Sequence, residues 1–181
     1  MEHKTLSMDI EAIRKRARQH IEQGAVTGGY KADRATVIKL LNEALATEII
    51  CVLRYKRHYF MASGINAQGI AAEFAEHANQ ELAHIDALAQ RIVQLDGEPD
   101  FSPVELAQRA HSEYVAAGSL VDMMREDLVA ERIAIESYRD MISYIEHDDP
   151  TTRRVLEEIL AVEEEHADDL SALLKDADAG H

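Results

Sequence analysis

The sequence predicts an all-α protein: a four-helix bundle with one long crossover between its second and third helices. A short N-terminal helix and a short helix within the crossover complete the expected fold. Three observations lead there. Every Gly and Pro of the 181 residues falls outside four stretches, 30–63, 70–96, 119–149 and 151–179. Breakers confined to the gaps between such runs delimit helices, each roughly 45 Å long at about 1.5 Å per residue. Each stretch carries a stripe at three- and four-residue steps, the period of one helical face. The composition agrees, with three Pro, eight Gly, 5% aromatic residues and abundant Ala, Leu and Glu.

Taken in order, Ile10 to Ile21 reads as a short helix ahead of the Gly24 to Gly29 break. The first long helix presents Val37, Leu41, Ala44, Glu48, Cys51, Tyr55 and His58 on one face, and the second Phe74, His77, Glu81, His84 and Leu88. Between the second and third long helices, Ser102 and Glu105 have the spacing of a capping box. Pro103 suits a first helical position, so a helix is expected from about 103 to 115. So long a connection lets the second and third helices run parallel. The third long helix aligns Met124, Asp127, Glu131, Ala134 and Tyr138, and the fourth, opened by Asp149-Pro150, aligns Leu156, Ile159, Glu163, His166 and Leu170. The expected organisation is an extension over 1–30, the bundle over 31–176 and a tail over 177–181.

Charge and composition narrow the function classes. A formal net charge of −15 argues against a mainly nucleic-acid-binding surface and suits attraction of cations. Arg14-Lys15-Arg16-Ala17-Arg18 is the local exception, read as the solvated face of the first short helix. No stretch approaches the roughly 18 apolar residues of a membrane span. The start, Met1-Glu-His-Lys-Thr, lacks the apolar centre of a secretory signal. The lone Cys51 can make no internal disulfide. A soluble cytoplasmic protein is expected.

The chemistry resides in two Glu-x-x-His pairs, Glu81/His84 and Glu163/His166, each preceded by a lone glutamate at nearly equal distance, Glu48 and Glu131. Residues three apart on a helix share a face, so each pair can aim a carboxylate and an imidazole at one point. One Glu from each of two helices plus Glu-x-x-His from each of two others is the ligand set of a carboxylate-bridged two-metal site in a bundle. Four buried glutamates would otherwise repel and lose solvation. Two divalent cations balance four carboxylates while the histidines stay neutral, and an oxygen-rich set with one nitrogen per metal suits iron or manganese. Tyr55 and Tyr138 each lie two turns past a lone glutamate, placed either to donate an electron or a hydrogen bond there or to fill the core with the hydroxyl satisfied. Asp127 is expected to orient a ligating histidine, His77 to do likewise or line the core, and Cys51 to act as a small buried hydrophobe.

The segments Asn42-Glu-Ala-Leu-Ala-Thr-Glu48, Glu81-Leu-Ala-His84-Ile-Asp, Glu126-Asp-Leu-Val-Ala-Glu131 and Glu163-Glu-Glu-His166-Ala-Asp resemble the ferritin-like superfamily, and bacterioferritins in particular, over about residues 36–175. The resemblance implies two iron ions per chain, with Glu48 and Glu131 as terminal ligands, Glu81 and Glu163 bridging, and His84 and His166 each on one iron. Tyr55 matches the tyrosine held beside the ferroxidase centre. It further implies oxidation of Fe2+ by O2 or H2O2, and storage and detoxification of iron in a hollow homo-oligomeric shell. The haem-ligating methionine of bacterioferritins is replaced by Leu82, so haem is not expected. The long crossover and the missing fifth helix are similar to the Dps mini-ferritin branch, which favours about twelve subunits over twenty-four. The other readings implied are a di-iron peroxidase or oxygenase of rubrerythrin-like or hydroxylase type, and a DNA-protecting shell protein using the Arg14–Arg18 run. The extra glutamate of rubrerythrins falls here at Ala134.

Overall fold

The computed structural model describes residues 7–64 and 67–179. Its elements are α1 (Ile10–Arg16), a 3-10 turn (Ile21–Gln23), α2 (Arg34–Met61), α3 (Ala67–Gln94), α4 (Leu106–Arg109), α5 (Leu120–Ile145) and α6 (Pro150–Ala179). The four long helices form the bundle, and there is no strand among the described residues. None of these helices is long and apolar enough to cross a membrane.

Side-chain pairs fix the topology. Tyr55 meets Glu131 while Tyr138 meets Glu48, so α2 and α5 are antiparallel. His166 meets Gln80 and Arg91 meets Asp149, so α3 and α6 are antiparallel. Tyr55 also meets His77, and the Cβ direction of Gly97, just past α3, abuts Ile38 near the start of α2. With α2 and α3 thus antiparallel, α3 and α5 run parallel. The crossover makes this possible by climbing along α2. Asn42 donates to the Glu98 carbonyl, Thr47 accepts from the His111 amide, Arg54 donates to the Glu113 carbonyl, and Arg57 donates to Ala116.

Those contacts also correct the expected crossover helix. Only Leu106–Arg109 is helical, not 103–115. Ser102 Oγ accepts from the Val104 amide, and Glu105 sits at φ 58 in the left-handed region, so the capping box does not form. The backbone groups that a longer helix would use are hydrogen-bonded to α2 instead. Similarly, α1 stops at Arg16 rather than Ile21. Asp9 caps its start by accepting from the Ala12 amide, but the helix buries no residue. A short helix without tertiary burial gains too little to continue. Arg14, Lys15 and Arg16 are exposed on its last turn. Gly69 lies in the first turn of α3, exposed and with open space around it. The tail expected over 177–181 lies partly outside the described residues; its described part continues α6.

The apolar core is divided in two. One cluster gathers Val37, Leu41, Leu45, Leu88, Ile92, Ile145, Leu156 and Ile159, and the other Tyr55, Phe74, Ala78, Met124 and Leu170. The charged layer of Glu48, Glu81, Glu131 and Glu163 occupies the middle of the helices between them, with every one of these side chains buried. Burial of both clusters holds the helices against the cost of keeping that layer out of water.

Candidate metal centre

The helical register delivers the six charged and imidazole side chains to one place. Glu48 comes from α2, Glu81 and His84 from α3, Glu131 from α5, and Glu163 and His166 from α6. They form two overlapping groups whose donor atoms lie within 4.8 Å of one another. One is Glu48, Glu81, His84 and Glu163; the other is Glu81, Glu131, Glu163 and His166. Glu81 and Glu163 belong to both, the positions that bridging carboxylates require.

Both histidines face inward through Nδ1. His84 Nδ1 lies 3.0 Å from Glu81 Oε2, 3.0 Å from Glu163 Oε1 and 3.6 Å from Glu48 Oε2. His166 Nδ1 is 3.5 Å from Glu81, 3.8 Å from Glu131 and 3.7 Å from Glu163. The other nitrogen of His166, Nε2, donates to Gln80 Oε1 at 2.7 Å. That bond holds the Nε2 hydrogen outside, so Nδ1 is the nitrogen that offers a lone pair to the cluster once its own proton is displaced. Gln80 is absent from the sequence-derived set. Its only signal is its position four residues before His84 on the same helix.

Four atoms of the cluster, Glu81 Oε1, Glu131 Oε2, Glu163 Oε1 and His166 Nδ1, are buried without a hydrogen bond. Buried acceptors left facing one another are costly unless a cation sits among them. The donors fit a pair of divalent ions: carboxylates and imidazoles, no thiolate, and two shared carboxylates, Glu81 and Glu163. The electrostatics agree. Burial and the charge of Glu48 push Glu81 above the usual carboxylate range, and burial with Glu163 and Glu81 pushes Glu131 well above it. Burial acts in the same direction on Glu163, but the close approach of His166 and His84 outweighs it and brings that carboxyl down. Burial would strip the proton from His84; contacts with Glu163, Glu48 and Glu81 override it and raise the imidazole to about 12. His166 rises to about 12 for the same reason, through Glu131, Glu163 and Glu81. The surplus of negative charge thus captures protons wherever a basic group can hold one.

Each tyrosine reaches across to the opposite lone glutamate. Tyr55 donates to Glu131 and Tyr138 donates to Glu48. Burial, followed by the charge of that same glutamate, raises each phenol well above its ordinary value. Tyr55 also touches His77 Nδ1 at 3.2 Å, and the His77 ring stacks on His166 with centroids 4.0 Å apart. Burial and the neighbouring His166 lower His77 to about 4.

Asp127 does something other than expected. Its carboxylate accepts from Arg54 Nε and pairs with His58 Nδ1, both at 2.8 Å, and touches no histidine of the cluster. In the antiparallel α2/α5 register Asp127 lies opposite His58, one turn short of Glu131, so it anchors α2 and the crossover instead. Arg54, fully buried and also missing from the sequence-derived set, is its counter-ion. Cys51 is buried beside Arg54 and Ser112, and burial pushes its thiol well up.

Residues 38–179 match the ferritin-like domain. The chain belongs to the ferritin-like family. This ferritin-like chain is 31% identical over 144 residues to the bacterioferritin of Mycobacterium avium, covering 77% of its own length and 84% of the relative. Its fold superposes with a TM-score of 0.79 on a dodecameric thioferritin, the bacterioferritin-related protein from Bacteroides fragilis. The identity there is 30%, with 82% of this chain and 90% of that one covered. Mycobacterium tuberculosis bacterioferritin BfrA superposes at 0.70 with 30% identity, over 80% of this chain and 87% of that one. Dps from Thermosynechococcus elongatus, at 20% identity and TM-score 0.74, shares the fold over 77% of this chain and 90% of its own.

Proposed function

We propose that this ferritin-like chain is a ferroxidase that oxidises Fe2+ to Fe3+ with O2 or H2O2 for iron storage and detoxification. Two Fe2+ ions are the substrate, held within one chain by the six-residue cluster. The observation that carries the reading is the pair of four-residue groups overlapping at Glu81 and Glu163. Bacterioferritins among the relatives support iron as the metal.

The residues divide the work. Glu48 and His84 serve one ion, Glu131 and His166 the other, and Glu81 and Glu163 are shared. Two ions of charge +2 neutralise four carboxylates, so binding expels the protons that the two imidazoles hold. Carboxylates can change their mode of contact as the ionic radius shrinks on oxidation. Each Fe2+ gives up one electron. With H2O2 and two protons the products are two Fe3+ and two waters; with O2 and two protons, two Fe3+ and H2O2. Tyr55 and Tyr138 keep one oxygen of each lone glutamate engaged, leaving the other oxygen for the metal. Fe3+ then passes to a store inside a homo-oligomeric shell, for which the dodecameric relative supports about twelve subunits. Phe60, Leu82, Val129 and Tyr144 are exposed on the bundle and supply apolar area for subunit contacts.

Stopped-flow oxidation of Fe2+ by the intact protein and by Glu131→Ala tests the reading, with circular dichroism as the folding control. The variant is expected to lose initial oxidation rate by about a hundredfold or more while keeping its helices. Unchanged initial kinetics would remove Glu131 from the site. Mass by light scattering tests the shell: a monomer or dimer would favour an oxygenase instead.

A further inference from the structure

One turn beyond the dinuclear cluster, Glu73 and His77 of α3 face Asp169 of α6. The His77 ring is 1% exposed, and its Nε2 is buried without a hydrogen bond. That nitrogen lies 3.4 Å from Glu73 Oε1 and 3.8 Å from Asp169 Oδ2. The tautomer follows from Tyr55, which has one hydroxyl hydrogen and gives it to Glu131. The Tyr55–His77 contact at 3.2 Å therefore uses the Nδ1 hydrogen of His77, and Nε2 presents a lone pair. Three acceptors consequently converge with no hydrogen between them.

We propose that Glu73, His77 and Asp169 form a third, mononuclear site for a first-row divalent cation. Neighbouring donors around such an ion, with bonds of about 2.1 Å, stand roughly 3.0–3.4 Å apart. The observed separations need only a slight contraction. The three donor atoms also meet the same 4.8 Å proximity as the two groups of the dinuclear cluster. Two carboxylates and one imidazole leave further positions for water, which suits Fe2+, Mn2+ or Co2+. The surroundings differ from those of the dinuclear cluster in one respect. The side chains of Glu73 and Asp169 are 33% and 48% exposed, so the site opens to solvent on one side. On the other side, His77 stacks on His166. A cation there occupies a holding position between solvent and the interior. That role rests on the ferroxidase reading; the binding itself does not.

Co2+ is the probe, applied anaerobically to the intact assembly, with equilibrium dialysis for stoichiometry and anomalous diffraction at the cobalt edge for position. The expected result is about three Co2+ per chain, one of them within bonding distance of His77 Nε2. The Glu73→Gln, Asp169→Asn double variant should lose that ion alone and bind about two. Ions at the dinuclear cluster with none beside His77 would overturn this site and leave the ferroxidase reading standing. An ion beside His77 with none at the dinuclear cluster would do the reverse. An ion beside His77 that survives in the double variant would overturn the assignment of its ligands.

Discussion

Tyr138 on α5 donates its hydroxyl hydrogen to Glu48 on α2, and Tyr55 on α2 returns the same contact to Glu131 on α5. Each tyrosine lies two turns past the lone glutamate of its own helix, and the antiparallel pairing brings it to the other helix's glutamate. The two halves of the cluster are therefore locked by equivalent bonds. The environments differ, because Tyr55 also holds His77, which stacks on His166.

That difference separates the two phenols experimentally. Tyr138→Phe removes one hydrogen bond to a buried carboxylate and should slow Fe2+ oxidation by about tenfold. Tyr55→Phe removes the equivalent bond and also releases His77, so a larger loss is expected. Stopped-flow rates of both variants check this, and equal rates would show that the His77 connection contributes nothing to oxidation.

Gln80 controls which nitrogen of His166 faces the cluster. Gln80→Leu removes the acceptor for the Nε2 hydrogen and should weaken divalent-ion binding about 10–100-fold with the helices intact. Anaerobic Co2+ titration of wild type and variant measures the shift. Gln80→Glu keeps an acceptor at the same place and should retain most of the affinity.

The six cluster residues were legible because helical spacing alone fixes which side chains share a face, and their equal placement in two halves repeated the signal. The four long helices were legible too, since Gly and Pro mark their gaps and ends; only Gly69 lies within one, in the first turn of α3. Arg54 was not: its partner Asp127 is 73 residues away, and nothing local marks an arginine as buried. The crossover misled through Ser102 and Glu105, a valid local helix signal defeated by hydrogen bonds to Asn42, Thr47 and Arg54 on α2. Gln80 gave only the weak signal of its spacing from His84, because its role depends on the position of His166 on another helix.

Arg54 and Asp127 are both buried and paired at 2.8 Å. Arg54→Met removes the arginine charge from the buried Asp127 carboxylate, leaving His58 Nδ1 beside it, and should destabilise the chain by about 3–5 kcal/mol. It also loosens the crossover at Glu113, whose carbonyl accepts from Arg54. Arg54→Met with Asp127→Leu removes both charges and should recover part of that loss. Denaturant titration of the single and double variants checks the order, and a double variant less stable than Arg54→Met would contradict it.

Asp149 supplies a pH dependence that lies outside the metal cluster. Its carboxylate closes the start of α6 by accepting from the Thr152 amide at 2.9 Å, and it accepts from Arg91 at 2.8 Å and Tyr30 at 2.9 Å. Burial alone would raise this carboxyl, but the hydrogen bonds from Thr152 and Arg91 prevail and hold it below the ordinary value. A carboxyl lowered by folding gives its stabilisation above the unfolded value of about 3.9, and the contribution fades as pH falls through the folded value. Asp149→Asn should therefore lower stability by about 2–4 kcal/mol at neutral pH. The gap between wild type and variant should stay level down to about pH 4 and close below it. Denaturation midpoints measured across that range decide the matter: a gap that widens on acidification would mean that the folded structure raises this carboxyl instead.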